Sequence, residues 1–282
     1  MKFSLYDLIL DTDLPLGVSG LPEIDTHKSN IRISVKATLN KIPNKLYKLN
    51  KKKSSVYLRG IAEFHIEDGE SILIFPHEKI DLKKLVFSVL NFPLAVCMAQ
   101  RGYIALHAST VKKKDHTILF CGASHSGKST LAYAFKQEGW KILTEDICII
   151  DPNSKKVLSS HPSIKLSKEA SYFFGLSNEK AEISKKRIRS NYVISNQKFM
   201  KSNIDYCFFL NWNEKGSIKS LSNEEIISEI QKYSFAASKK DNSIHIMQLI
   251  KNIKFKKLNI TKDFSKIYQV VDLVENFARK KN

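Results

Sequence analysis

The sequence predicts an α/β fold: a nucleotide-binding core with a mixed sheet, preceded by a small β-rich region. Three observations predict it. From Tyr103 to Ile150 the pattern runs strand, strand, loop, helix, strand, which is the alternation of an α/β core. A glycine-bounded loop, Gly122 to Ser129, lies between an apolar strand and an amphipathic helix. The first hundred residues instead alternate short period-two runs with turn signals. The expected division is therefore 1–100, with a connecting helix, and 101–282.

In the first region Ile31 to Val35 has strand period two, and Ala62 to Ile66 with Ser71 to Phe75 forms a hairpin around Glu67-Asp68-Gly69-Glu70. Leu82 to Ala99 reads as a helix with Asp81 as N-cap and Pro93 kinking or dividing it. Lys83, Lys84, Asn91 and Pro93 argue against its being a membrane span. Next come strands Tyr103 to Val111 and Ile118 to Cys121, a helix Ser129 to Glu138 ending at Gly139, and a strand Lys141 to Ile150. Ser163 to Leu166, Tyr192 to Ser195 and Tyr206 to Leu210 are further strands. Ser222-Asn223-Glu224-Glu225 is a capping box, and a last helix from near Ser265 places Ile267, Val270, Val271, Val274 and Phe277 on one face.

Composition is that of an ordinary folded chain, 43% hydrophobic and 26% charged. Cys97, Cys121, Cys148 and Cys207 sit in apolar runs without metal-ligand spacing, so they read as core residues in a reducing compartment. With an acid, Asp7, where a secretory signal would be apolar, the reading is cytoplasmic. The net charge of +18 is spread along the chain, with clusters only at Lys51-Lys52-Lys53 and Lys185-Lys186-Arg187-Ile188-Arg189, so nucleic acid is not the expected partner.

Gly122-Ala123-Ser124-His125-Ser126-Gly127-Lys128-Ser129 carries the chemistry. Main-chain N–H groups of such a turn, and the N-terminal end of the following helix, converge on phosphate oxygens. Gly122 and Gly127 permit close approach, Lys128 reaches the β- and γ-phosphates of ATP, the Ser129 hydroxyl binds Mg²⁺, and Thr130 bonds phosphate further in. The bland alternative is a glycine turn with a solvated lysine. Glu145 and Asp146, adjacent in an apolar strand, would face opposite ways unless the strand ends there, one meeting metal or substrate. His107 closes the strand Tyr103 to Leu106 and is either a hydrogen-bonded core residue or a catalyst.

Leu106-His107-Ala108-Ser109, the Gly122 to Ser129 loop and Glu145-Asp146 together resemble the catalytic domain of HPr kinase/phosphorylase, and more closely the short serine-kinase-like relatives associated with peptide modification. Leu8 to Leu21 and His161-Pro162-Ser163-Ile164-Lys165-Leu166 extend the likeness outwards. The resemblance implies the nucleotide core shared with phosphoenolpyruvate carboxykinase, a homo-oligomer, and transfer of the ATP γ-phosphoryl to a hydroxyl, serine foremost, of a peptide, protein or small molecule. It assigns Lys128 to the phosphates, Ser129 and Asp146 to Mg²⁺, Glu145 to the general base, and His107 to assisting Glu145.

The chain departs from the family at three places. His125 stands where Gly is usual, Glu145 replaces an aspartate, and the downstream Gly-rich signature tied to phosphorylase activity and to HPr is missing. A non-catalytic ATP sensor is the second reading, favoured by His125 and Glu145; a basic nucleic-acid binder is the third. Lys165 and the Lys186, Arg187, Arg189 cluster could add cationic contacts to phosphate or an acidic substrate, with solvated surface the expected reading for each.

Overall fold

The computed structural model describes residues 1–39, 42–43, 45–161, 163–176, 189–193, 199–235 and 243–279. The fold is mixed α/β, and the strands among the described residues lie in four sheets. Strands β1 (Lys2–Leu5), β2 (Leu8–Thr12), β3 (Ile31–Val35), β4 (Tyr47–Lys48), β5 (Lys53–Leu58), β6 (Ala62–Glu67) and β7 (Ser71–Pro76) form one sheet in the order β1-β2-β3-β7-β6-β5-β4. Strict alternation of buried and half-buried residues along β6 and β7 lays one face on the core. Their hairpin closes through Asp68 (φ 52°) and Gly69 (φ 69°), both in the left-handed region that a tight primed turn requires.

The helix expected over Leu82 to Ala99 divides, one of the two outcomes expected of Pro93, into α1 (Leu82–Val89) and α2 (Phe92–Gln100). Asp81 caps α1 by accepting from the Lys84 N–H at 2.8 Å, and Pro93 sits in the first turn of α2, where its missing N–H costs nothing. Leu82–Gln100 is long and apolar enough to cross a membrane by length and composition, yet Leu85, Val86, Val89, Leu94 and Val96 are buried in the protein core. That core also takes in Ala105, Ile149 and Leu158 from beyond residue 100.

The chain continues through β8 (Ile104–Leu106), β9 (Ala108–Lys113), β10 (His116–Cys121), α3 (Lys128–Gln137), β11 (Lys141–Thr144), β12 (Cys148–Ile150), β13 (Lys156–Leu158), β14 (Ser163–Ser167) and α4 (Lys168–Phe173). After these come β15 (Arg189–Val193), β16 (Lys201–Asn203), β17 (Tyr206–Trp212), β18 (Ser217–Lys219), α5 (Asn223–Tyr233), α6 (Ser243–Asn252), β19 (Lys254–Ile260) and α7 (Ile267–Arg279). A six-stranded sheet runs β11-β9-β10-β17-β19-β18, in which β10, β17 and β19 are parallel neighbours and the outer pairs are antiparallel. A four-stranded antiparallel sheet runs β16-β13-β12-β8, and β14 pairs with β15.

Two expected strands are each broken. Tyr103 to Val111 divides at His107 into β8 and β9, and Lys141 to Ile150 divides at 145–147 into β11 and β12, because in both places the chain passes from one sheet to the other. Helix α3 starts at Lys128, one residue before the expected start. A 3-10 turn at Phe264–Lys266 leads into α7, whose Val270, Val271 and Val274 are buried. The Ser222 capping box forms with both reciprocal bonds. All four cysteines are buried free thiols. Ser195 and the Lys185 to Ile188 run lie outside the described residues.

Candidate active site

The site lies where both broken strands cross between sheets. Strands β8 and β12 pair in the four-stranded sheet with Leu106 opposite Cys148, while β9 and β11 pair in the six-stranded sheet with Thr110 opposite Thr144. The residues between these strands include His107 and Asp146, whose side chains meet. Asp146 has φ 62°, and the Ile147 N–H donates to the Glu145 carbonyl at 2.6 Å, closing a three-residue γ-turn that points the two acids apart. His107 is held by its own N–H, which donates to the Tyr233 carbonyl at 2.8 Å.

The second part of the site is the loop between β10 and α3. A Cβ at Gly122 would lie 2.5 Å from Ser126 Oγ and 3.2 Å from Ser126 Cβ, so a larger residue there would have to displace Ser126. Gly127, at φ 92°, would place a Cβ 3.2 Å from Ile260 Cδ1 and 3.3 Å from Trp212 Cη2. The Lys128 side chain is 5% exposed and donates to the Gly122 and Ala123 carbonyls at 2.9 and 2.8 Å. The Ser126 hydroxyl is buried with no intramolecular partner, as a group awaiting an external acceptor would be.

His125 occupies the left-handed region at φ 66°. For a non-glycine residue that conformation costs roughly 1–2 kcal/mol. Replacing His125 with Gly should therefore raise the thermal midpoint of the unligated protein by about 2 °C or more. A lower midpoint in calorimetry would mean that the contacts of the imidazole outweigh the strain.

The pairing of acids is the reverse of the sequence expectation. Ser129 Oγ donates to Glu145 Oε1 at 2.5 Å, and His107 Nε2 lies 3.0 Å from Asp146 Oδ1. The physical cause is the strand break: with Asp146 at positive φ, the Glu145 side chain reaches Ser129 in α3 while that of Asp146 reaches His107. Burial alone would raise the Asp146 carboxyl, but the His107 hydrogen bond and charge, with Lys165 and Lys128, overcome it and hold the group at about 2. An ionised carboxylate only accepts, so His107 carries its proton on Nε2 and donates it. His161, bonded through Nδ1 to Ser163 Oγ at 2.6 Å, is pushed down to about 4 by burial and stays neutral beside the site.

These groups face a cavity of about 160 Å³. His107, His125, Gly127, Lys128, Ser129, Thr130 and Asp146 all line it, whereas Glu145 stands behind Ser129. Gly122, Ala123, Ser124 and Ser126 form the turn behind that lining. Lys165, expected on solvated surface, is instead on the cavity wall, because in β14 it alternates with the buried Ile164 and Leu166. The rest of the cavity lining, including Trp212, Ile260, Phe264 and Ile267, was not anticipated. Trp212, two residues past the apolar run Tyr206 to Leu210 at the end of β17, was the available signal.

Among the described residues no three His, Cys, Asp or Glu side chains cluster as a self-sufficient metal cage. Mg²⁺ does not require one, since it commonly takes one or two carboxylates and completes its shell with water and phosphate oxygens. Ser129 with Glu145 fits that donor chemistry.

No protein-family model matches the chain, and no curated protein matches it in sequence. Among solved structures, an Hpr(Ser) kinase/phosphatase from Coxiella burnetii is a structural neighbour, at TM-score 0.34 and 13% identity, over 62% of this chain and 97% of that one.

Proposed function

We propose that the chain binds ATP with Mg²⁺ at the start of α3 and transfers the γ-phosphoryl to a hydroxyl, serine foremost, of a peptide, protein or small molecule. The observation that carries the reading is convergence: Lys128 and Ser129 on one wall of a single cavity, and Asp146 with its His107 donor on another. The loop N–H groups and the N-terminal end of α3 hold phosphate oxygens, and the Gly122 to Ser129 turn acts as a phosphate-binding loop. Lys128 exchanges its two carbonyl partners for β- and γ-phosphate oxygens. Ser129 and Glu145, now joined by their mutual bond, would hold Mg²⁺, which when bound would neutralise charge on the phosphates.

Asp146 faces the position from which an acceptor approaches. The acceptor oxygen forms its bond to the γ-phosphorus as the bond from that phosphorus to the β–γ bridging oxygen breaks, and the hydroxyl proton passes to Asp146. His107 holds the carboxylate in place, and Lys165 adds positive charge near the transferred group. A carboxylate held at about 2 is a weak base, so it orients the hydroxyl first and takes the proton late. The same weakness favours a second reading, an ATP-binding sensor with slow or absent turnover.

Thermal unfolding with and without Mg·ATP tests the binding step. Ligand at a hundred times its Kd should add about 2.7 kcal/mol, a rise of several degrees. Transfer of labelled γ-phosphoryl to a hydroxyl acceptor then separates kinase from sensor. No shift at millimolar Mg·ATP would overturn both.

A further inference from the structure

The cavity has a second half that the phosphoryl chemistry does not use. Trp212 ends β17 and Ile260 ends β19; they are register partners in neighbouring parallel strands, on the same edge of the sheet as the loop after β10. Ligands of parallel sheets collect at that edge. The wall begins at the loop itself, since Ile260 and Trp212 lie 3.2 and 3.3 Å from where a Gly127 Cβ would stand. Trp212 is 39% exposed, unusual for a large ring next to a fully formed core. Lys262 Nζ lies 6.0 Å from its ring centroid, and Phe264, held against Phe173 at 5.5 Å, continues the apolar surface. Thr261 Oγ1 lines the same half, buried and without an intramolecular partner.

We infer that this half is a nucleoside subsite in which a purine base lies against Trp212, Ile260 and Phe264, recognised by its shape and π-face rather than by its hydrogen-bonding edge. The inference rests on the phosphoryl-transfer reading and adds to it the part of the substrate that gives affinity. A triphosphate seated at Lys128 and Ser129 carries its ribose and base outward, and the contiguous wall is apolar and aromatic, as a base requires. The nearby acid is partly engaged elsewhere: Asp263 Oδ1 accepts from the Ser265 N–H at 3.0 Å and the Ser265 hydroxyl at 2.7 Å, which ties that oxygen to the turn before α7.

Calorimetric titration of the full chain with Mg²⁺ and, in turn, ATP, GTP and ribose 5-triphosphate tests this. ATP should bind about tenfold or more tightly than the baseless ribose 5-triphosphate, with GTP within about tenfold of ATP. Trp212→Ala and, separately, Phe264→Ala should erase most of the ATP advantage while ribose 5-triphosphate still binds. Trp212 fluorescence should change with ATP and not with ribose 5-triphosphate. Equal affinity of wild type for ATP and ribose 5-triphosphate would overturn the subsite and leave the phosphoryl-transfer reading standing, the apolar wall then belonging to the acceptor. GTP binding far tighter than ATP would overturn shape recognition, and no binding of any triphosphate would remove both readings. The wild-type comparison decides the matter even where a variant fails to fold.

Discussion

Lys128→Ala is expected to raise the Kd for Mg·ATP by about a hundredfold and to reduce phosphoryl transfer by a thousandfold or more. Each charge-assisted hydrogen bond lost from ammonium to phosphate is worth about 1.5–3 kcal/mol, and its worth grows as charge moves onto the transferred group. Lys128 Nζ is already gathered into the turn, 2.9 and 2.8 Å from the Gly122 and Ala123 carbonyls, so its position is set before any ligand arrives. Lys128→Arg should not rescue, because a planar guanidinium does not fit the space of a point charge under this turn. Urea unfolding without ligand controls for folding. Tight Mg·ATP binding by a folded Lys128→Ala protein would show that the loop is a glycine turn and no more.

Much of this site was legible because it is local. Gly122, Gly127, Lys128 and Ser129 sit in a turn and at the start of the helix that follows it, and both are encoded within a short stretch of chain. The Ser222 capping box and the alternation of β6 and β7 were legible for the same reason. What a strand pattern does not encode is the sheet to which each half of an apolar run belongs. His107 and the pair Glu145, Asp146 lie inside such runs, and only the tertiary pairing of β8 with β12 and of β9 with β11 shows that both chains change sheets there. The exchange of partners between the acids follows from that unseen break. The wall of Trp212, Ile260 and Phe264 was hidden for a related reason, since it joins the ends of strands far apart in sequence.

Asp146→Asn is the second large effect, expected to lower kcat for phosphoryl transfer by about 10²–10⁴ while Mg·ATP binds as tightly as before or slightly more tightly. Asparagine keeps the shape, tolerates the positive φ of this position and can still accept from His107, so the substitution removes little besides the charge and the proton acceptor. Glu145→Gln should behave differently, weakening the Mg²⁺-dependent part of binding through its bond to Ser129. If Glu145→Gln instead abolished transfer with binding intact, and Asp146→Asn did not, the base would be Glu145. Stability supplies an independent check. The Asp146 carboxyl is held at about 2 when folded, below its unfolded value near 3.9, so its ionised form stabilises the native state. That contribution, on the order of 2 kcal/mol, is fully present above about pH 4 and is lost as pH falls through about 2. Asp146→Asn should therefore be less stable than wild type at pH 7 in urea, with the gap closing as both are titrated toward pH 2. A constant gap across that range would mean that His107, Lys165 and Lys128 do not hold the carboxylate, and the electrostatic basis for placing it at the acceptor would fail.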